Sequence, residues 1–230
     1  MNYAVIVAGG NGSRMKSSIP KQFIELQGKP ILFYTVQNFL QFKPKLKIIL
    51  VVPPHDSKAT HFLESYFPNQ SQIQLVSGGL TRFHSVQNGL RAIPQNETGI
   101  VFIHDGVRPF VSQQVMQQCY ETANNYGDAI PCLPSKDSLR RVTDLQNTAV
   151  PRQEYVTIQT PQTFQIAAIK SAYACEYDEA FTDEASVYEY AGNEIHLVPG
   201  NEENIKITTP FDLDLANLVL TQKHDATRIH

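Results

Sequence analysis

The sequence predicts an α/β fold, a mostly parallel sheet with helices on both faces, and three observations point to it. Continuous apolar runs bounded by turn residues recur through the first half of the chain. Segments with helical spacing of apolar residues lie between them. Runs of this kind, alternating with helices, are what a parallel sheet covered on both faces requires. The third observation is a proline-rich break in this rhythm after the middle of the chain.

In chain order, the strands read from Tyr3 to Ala8, Leu46 to Val52, Ile73 to Ser77 and Ile100 to His104. Ile31, Tyr34, Thr35, Asn38 and Phe39 share one helical stripe, and Val86, Leu90 and Ile93 another. From Ala129 to Gln162 the rhythm fails. This segment holds Pro131, Pro134, Pro151 and Pro161, two short β-prone stretches and the pair Arg140-Arg141. It reads as an irregular excursion from the sheet. Gln165 to Tyr177 and Asp183 to Tyr190 then read as helices, and Glu194 to Val198 and Asn204 to Ile207 as strands. Pro210-Phe211-Asp212 opens a last helix, with proline in the first turn, where its missing N–H costs nothing. The polar tail after Thr221 is expected to fray.

A chain of 230 residues in this pattern is expected to form one domain, with 129–162 as its excursion. A 42% hydrophobic fraction can build its core without disulfide or metal staples. The net charge of -3 gives no broad electrostatic reason to bind nucleic acid or an anionic membrane. Cys119, Cys132 and Cys175 are odd in number and lack C-x-x-C spacing, which argues against a disulfide framework or zinc site and for a reducing, cytoplasmic setting. The first residues carry no basic region and run straight into a glycine loop, so they read as a buried strand and not a signal peptide. No apolar run reaches transmembrane length.

Ala8-Gly9-Gly10-Asn11-Gly12-Ser13-Arg14-Met15 follows the first strand, and Pro20-Lys21-Gln22 comes soon after. Glycines there let backbone N–H groups approach a phosphate closely, and a helix start would add its positive end. Arg14 offers a bidentate fork to phosphoryl oxygens, while Lys21 is a compact mobile charge. The pattern is neither a Walker A loop nor a G-x-G-x-x-G fingerprint. A glycine cluster by itself is also compatible with an ordinary strand-to-helix turn.

His104-Asp105-Gly106-Val107-Arg108-Pro109 closes the strand from Ile100. Ligands of open α/β sheets bind beyond the carboxyl ends of the strands, which puts Asp105 where a substrate or a phosphate-bound metal would sit. It suits a hard ion such as Mg2+, directly or through water, and equally a turn or helix-cap role. His104 reads as structural. Gly78-Gly79, Arg82 and Ser85 lie between a strand and a helix, where backbone and one hydroxyl can read a base edge. Thr182-Asp183-Glu184-Ala185-Ser186 has the form of a helix cap. Lys206 reads as a solvated charge or as a phosphate ligand.

Taken in order, the two glycine loops, H-D-G-V-R-P, Q-T-P-Q-T-F, T-D-E-A-S and N-I-K-I-T resemble the 2-C-methyl-D-erythritol 4-phosphate cytidylyltransferases of non-mevalonate isoprenoid synthesis. The resemblance spans about Tyr3 to Leu220. It implies a Rossmann-like core with a projecting β-arm, a homodimer whose arms cross into the partner's site, CTP and a polyol phosphate as substrates, and dependence on Mg2+. By resemblance, Arg14 and Lys21 are transition-state cations, and Ala8, Gly9, Gly10, Asn11 and Gly12 cradle the nucleotide. Arg152 and Lys206 position the methylerythritol phosphate, Asp105, Arg108, Ser138 and Thr182 line its pocket, and Gly79 and Ser85 read cytosine. The chain departs from the usual pattern in three places. Val7-Ala8-Gly9-Gly10 stands where P-A-A-G is common, a form shared with ribitol 5-phosphate cytidylyltransferases, and Gly106 and Ser138 stand where alanine and threonine are usual.

The implied reaction is in-line attack of the acceptor's phosphate oxygen on the α-phosphorus of CTP. A phosphate monoester, with a second pKa of about 6, is already anionic at neutral pH and needs no general base. The sequence accordingly offers cations and no evident Ser/His/Asp or Cys/His set. The rivals are ribitol phosphate as acceptor, a nucleotide-binding module without catalysis, and a dehydrogenase. The last needs an acid about 20 residues beyond the loop, at the end of strand two, where Val51-Val52-Pro53-Pro54 stands instead.

Overall fold

The computed structural model of the chain describes residues 1–10, 15, 19–43, 45–54 and 56–228, with side chains as far as 223. In chain order, β1 (Tyr3–Val7) is followed by the short β2 (Glu25–Leu26) and β3 (Lys29–Pro30), α1 (Ile31–Phe42), β4 (Lys47–Val52), α2 (Ser57–Tyr66) and β5 (Ile73–Ser77). Then come α3 (Arg82–Ala92), β6 (Ile100–Asp105), α4 (Gln113–Tyr126), β7 (Asp128–Pro134), β8 (Leu139–Val142) and β9 (Asn147–Val150). The last elements are β10 (Val156–Ile158), β11 (Gln162–Gln165), α5 (Ile166–Ala172), α6 (Glu184–Tyr190), β12 (Leu197–Pro199) and α7 (Pro210–Arg228).

The main sheet has eight strands in the order β5-β4-β1-β6-β11-β7-β10, with β12 also paired to β7. Its first four are parallel, while β11 runs antiparallel to both β6 and β7. Successive strand residues point to opposite faces, and here both faces are dry. Ala4, Ile6, Ile48, Leu50 and Phe102 pack under α1, α2 and α4. Val5, Ile49, Val51, Val101 and Ile103 pack under α3, α5 and α6. That two-sided burial is why these strands are continuously apolar. The chain turns from one half of the parallel sheet to the other beside β1, so the crevice between the carboxyl ends of β1 and β6 is the switch point where such sheets bind ligands. The register pairs Val7 with Asp105 at that edge.

Several sequence expectations need correction. The stretch from Ala129 begins inside the sheet, because Ala129 and Ile130 are fully buried in β7, and Gln162 ends it inside β11. Its proline count disguised two sheet strands. The part that leaves the sheet is the β8–β9 hairpin, joined by Thr143 N–H donating to Gln146 O at 2.9 Å. The helix expected from Gln165 to Tyr177 stops at Ala172. The strand expected from Glu194 is confined to β12, and Asn204 to Ile207 form no strand. The last helix runs on to Arg228 where fraying was expected after Thr221. Two helices, α2 and α4, had no sequence expectation. Both begin with an acid or hydroxyl cap: Asp56 accepts from Lys58 N–H and Ser112 from Val115 N–H.

Candidate active site

The first loop leaves the sheet late. Ala8 N–H donates to Val51 O at 2.8 Å, so the chain stays in register one residue past β1 and turns away at Gly9 and Gly10. A Cβ on Gly10 would sit 3.2 Å from Lys21 Cε, so the lysine stem lies directly over the loop. Lys21 opens a single 3-10 turn, Lys21–Phe23, behind Pro20. Asn11, Gly12 and Arg14 lie outside the described residues.

The second loop is pinned to the end of β4, where Gly78 N–H donates to Val52 O at 2.7 Å. A side chain on Gly79 would collide with His84 Cβ, which accounts for the glycine. Ser85 Oγ accepts from Gly79 N–H at 3.1 Å and donates to Thr81 O at 2.9 Å. Its hydroxyl therefore holds the loop in shape, and the loop backbone is left to face a ligand.

Asp105 is the electrostatic centre. Its buried carboxylate takes Arg82 Nη1 on Oδ1 at 2.6 Å, and Arg108 Nε at 3.0 Å and Lys206 Nζ at 3.1 Å on Oδ2. Burial alone would raise its pKa, but Arg82, Lys206 and Arg108 outweigh that and hold it far below the usual carboxylate range. Arg82 is itself gripped by Glu184 through two parallel bonds of 3.0 and 2.9 Å. Three cations against two carboxylates leave the cluster net positive, as an anion site requires. Lys206 is the most solvent-exposed of the three cations.

By sequence pattern Arg82 belongs only to a base-reading loop and Glu184 only to a cap. The cap is real: Asp183 accepts from Ser186 N–H while Ser186 Oγ accepts from Asp183 N–H, a reciprocal capping box. Glu184, the first residue inside the helix, has its side chain fully buried against Arg82. Acidic residues at that position are ordinary, so only the fold reveals its partner.

Lys206 reaches Asp105 without belonging to a strand. Asn204, fully buried, donates to Thr160 O at 2.8 Å on one side of it. On the other, Ile207 N–H donates to Val107 O at 3.0 Å, and its side chain joins Leu26, Phe110, Ala216 and Leu220 in a small core. Two anchors around one exposed-tending residue turn Lys206 toward the site.

His104 is structural, as expected. Its Nε2–H donates to Arg108 O at 2.9 Å, so Nδ1 is the acceptor for Thr160 Oγ1–H at 3.0 Å, and Thr160 Oγ1 in turn accepts from Asp105 N–H at 3.1 Å. The chain of bonds needs the neutral ring. Burial lowers its pKa from 6.5 to about 4. Between those values the unfolded chain binds the proton and the native one does not, so this contribution is complete above pH 6.5 and is lost as pH falls toward 4. The melting temperature should fall across that window, and His104→Asn should flatten the fall. An equally steep fall in the variant would assign the acid lability to other groups.

One cavity of about 340 Å³ lies at the switch point. It joins Ala8, Gly9, Gly10 and Lys21 from the first loop, Gly79 and Ser85 from the second, and Asp105 and Lys206. Arg108 stands behind Asp105. Three expected site residues are elsewhere on this chain's surface. Thr182 is exposed before α6, Ser138 is exposed just ahead of β8, and Arg152 is exposed beyond β9, its Nη1 donating to Lys136 O at 2.8 Å. Among the described residues no three acidic, histidine or cysteine side chains cluster as a metal cage, and both Asp105 oxygens already face cations. The same residues include no helix long and apolar enough to cross a membrane.

With this geometry in hand, the relatives are informative. The sequence model of one family, described as 2-C-methyl-D-erythritol 4-phosphate cytidylyltransferase, matches residues 2–222. A protein of that name from Phocaeicola vulgatus is 44% identical over 218 residues, covering 95% of this chain and 99% of its own. One from Porphyromonas gingivalis is 45% identical over 222 residues, covering 95% and 97%. The crystal structure of 4-diphosphocytidyl-2C-methyl-D-erythritol synthase from Anaerococcus prevotii superposes with a TM-score of 0.81 at 31% identity, covering 96% of each chain.

Proposed function

The chain belongs to the 2-C-methyl-D-erythritol 4-phosphate cytidylyltransferase family, and from that premise we propose which of its groups perform the family's reaction. The enzyme joins CMP from CTP to 2-C-methyl-D-erythritol 4-phosphate, releasing 4-(cytidine 5'-diphospho)-2-C-methyl-D-erythritol and pyrophosphate in isoprenoid precursor synthesis. The observation that supports the assignment of roles is the cavity in which a glycine loop with Lys21 faces Arg82, Lys206 and Asp105, with Arg108 behind Asp105. One half suits a triphosphate and the other a second anion.

CTP lies with its base against the Gly78–Gly79 loop and its phosphates under Lys21 and the first loop. The acceptor's phosphate lies on Lys206 in the cavity wall, with Arg108 behind Asp105 adding its charge from the second layer. The phosphate's oxygen forms a bond to the α-phosphorus while the bond from that phosphorus to the β-phosphate's bridging oxygen breaks, and pyrophosphate leaves with that electron pair. The difficulty is the approach of two anions and the charge gathered at phosphorus, which Lys21 and Arg14 counter as fixed cations. Asp105 keeps Arg108 and Lys206 oriented, and the excess of positive charge lets the phosphate enter.

Mg2+ fits the site as a passenger on the triphosphate and not as an ion held by the protein, because Asp105, the carboxylate in the cavity wall among the described residues, is already surrounded by cations. Bound there, it would draw charge from the departing pyrophosphate.

The β8–β9 hairpin is assigned as an arm that pairs two subunits. A two-stranded ribbon is marginal alone, and this one leaves Val142 exposed and Leu145 almost completely so. Arg152 and Ser138 at its base then serve the partner's site, which agrees with their absence from the wall of this chain's own cavity. Three unpaired thiols favour a cytoplasmic setting. Lys206→Ala and Arg152→Ala should each raise KM for the polyol phosphate about tenfold or more, the worth of one charge-assisted hydrogen bond, and leave KM for CTP nearly unchanged. Equal changes in both constants would reject the division of the cavity.

A further inference from the structure

Among the described residues, three buried side-chain atoms have no hydrogen-bond partner, and two of them are the amide nitrogen and oxygen of Gln22. Gln22 is 1% exposed and belongs to the wall of the active-site cavity. Folded chains leave few such atoms, since each forfeits bonds that water would have supplied. The backbone around it is fixed: Phe23 N–H donates to Pro20 O at 2.9 Å and Ile24 N–H to Lys21 O at 3.2 Å. Phe23 on its far side packs against Phe62, while Lys21 on its near side lies over the glycine loop. A leucine would fill the same space without two orphaned polar atoms, so stability of the free protein gives no reason for an amide here.

We propose that Gln22 is a nucleotide-binding residue whose amide is completed by CTP. Nε2 donates to a phosphate oxygen beside Lys21, and Oε1 accepts from a hydroxyl of the nucleotide or a water it carries. A group with one donor end and one acceptor end matches a ligand whose phosphates accept and whose ribose donates. The proposal rests on the reading of this cavity as the CTP site. It makes Gln22 a residue that destabilises the free enzyme and is kept for its ligand, a trade seen where function and stability compete.

The test compares wild type with Gln22→Leu and with Gln22→Met, which keeps the unbranched stem should leucine pack poorly. Without ligand the variants should melt about 2 °C or more above wild type, since about 1 kcal/mol shifts a chain of this size by roughly 2–4 °C. KM for CTP should rise about tenfold, the loss of one hydrogen bond to a charged group, while KM for the acceptor stays within about twofold. The stabilisation given by saturating CTP with Mg2+ should shrink in step. Variants melting below wild type would show that the amide is already paired in the free protein, and an unchanged KM for CTP would show that the nucleotide does not use it. Either result overturns the proposal. If CTP fails to stabilise wild type itself, the reading of the cavity falls first.

Discussion

Lys21→Ala is expected to turn over at about a hundredth of the wild-type rate or less while melting near the wild-type temperature. Lys21 is half-buried at the mouth of the cavity, its stem lying against Gly10, so removing it opens space toward solvent and leaves no hole in the core. Its charge matters most when negative charge gathers at the α-phosphorus, and a cation already in place there costs no reorganisation during the reaction. The loss should therefore fall on kcat, with a smaller change in KM for CTP. Arg14→Ala is expected to behave alike on the strength of its place after the glycine loop. Near-normal turnover by the Lys21→Ala protein, measured as pyrophosphate release, would reject the role.

The second large effect concerns the arm. With the acceptor held far below its KM, Lys21→Ala chains, damaged in the core, should work alone at about a hundredth of the wild-type rate or less, and Arg152→Ala chains, damaged in the arm, at about a tenth. In a two-fold dimer, every contact made by one chain is returned by the other. If arms cross, one of the two sites in a mixed dimer joins an intact Lys21 to an intact Arg152. Random pairing makes half the dimers mixed, so co-expression should restore about a quarter of wild-type activity. If each arm serves its own subunit, every site carries one lesion and mixing restores nothing. Arg152 follows β9 and lies outside the wall of this chain's own cavity, which is why the first outcome is expected.

Much of this was legible in the sequence, for identifiable reasons. The parallel strands read correctly because both their faces are dry, and Ile73–Ser77 matched to the residue. The glycine loops announced themselves by composition, since Gly79 tolerates no side chain. The failures were tertiary. β7 carries Pro131 and Pro134, yet it keeps its place because it is paired on both edges, to β12 and to β10, and Pro131 O still accepts from Gln159 N–H at 2.8 Å. Asn204 to Ile207 look like a strand because Ile205 and Ile207 alternate with polar residues, but they are held by single bonds to Thr160 and Val107 and not by a ladder. Glu184 and Arg82, far apart in the chain, form a pair that no local pattern could reveal. Gln22 carries no sequence signal either: an orphaned amide is visible only once its surroundings are built. Gly106 is likewise explained by packing, because a Cβ there would press on Ala8 at 3.0 Å and Leu32 at 3.2 Å.

The central claim is that this cavity transfers CMP from CTP to methylerythritol phosphate. The direct measurement offers the purified protein CTP and Mg2+ with either 2-C-methyl-D-erythritol 4-phosphate or ribitol 5-phosphate, and follows pyrophosphate together with the cytidylylated product. The account predicts prompt release with the methylerythritol acceptor and little with ribitol phosphate. Release that depends on ribitol phosphate, or none with either acceptor from a protein that still binds CTP, would contradict it.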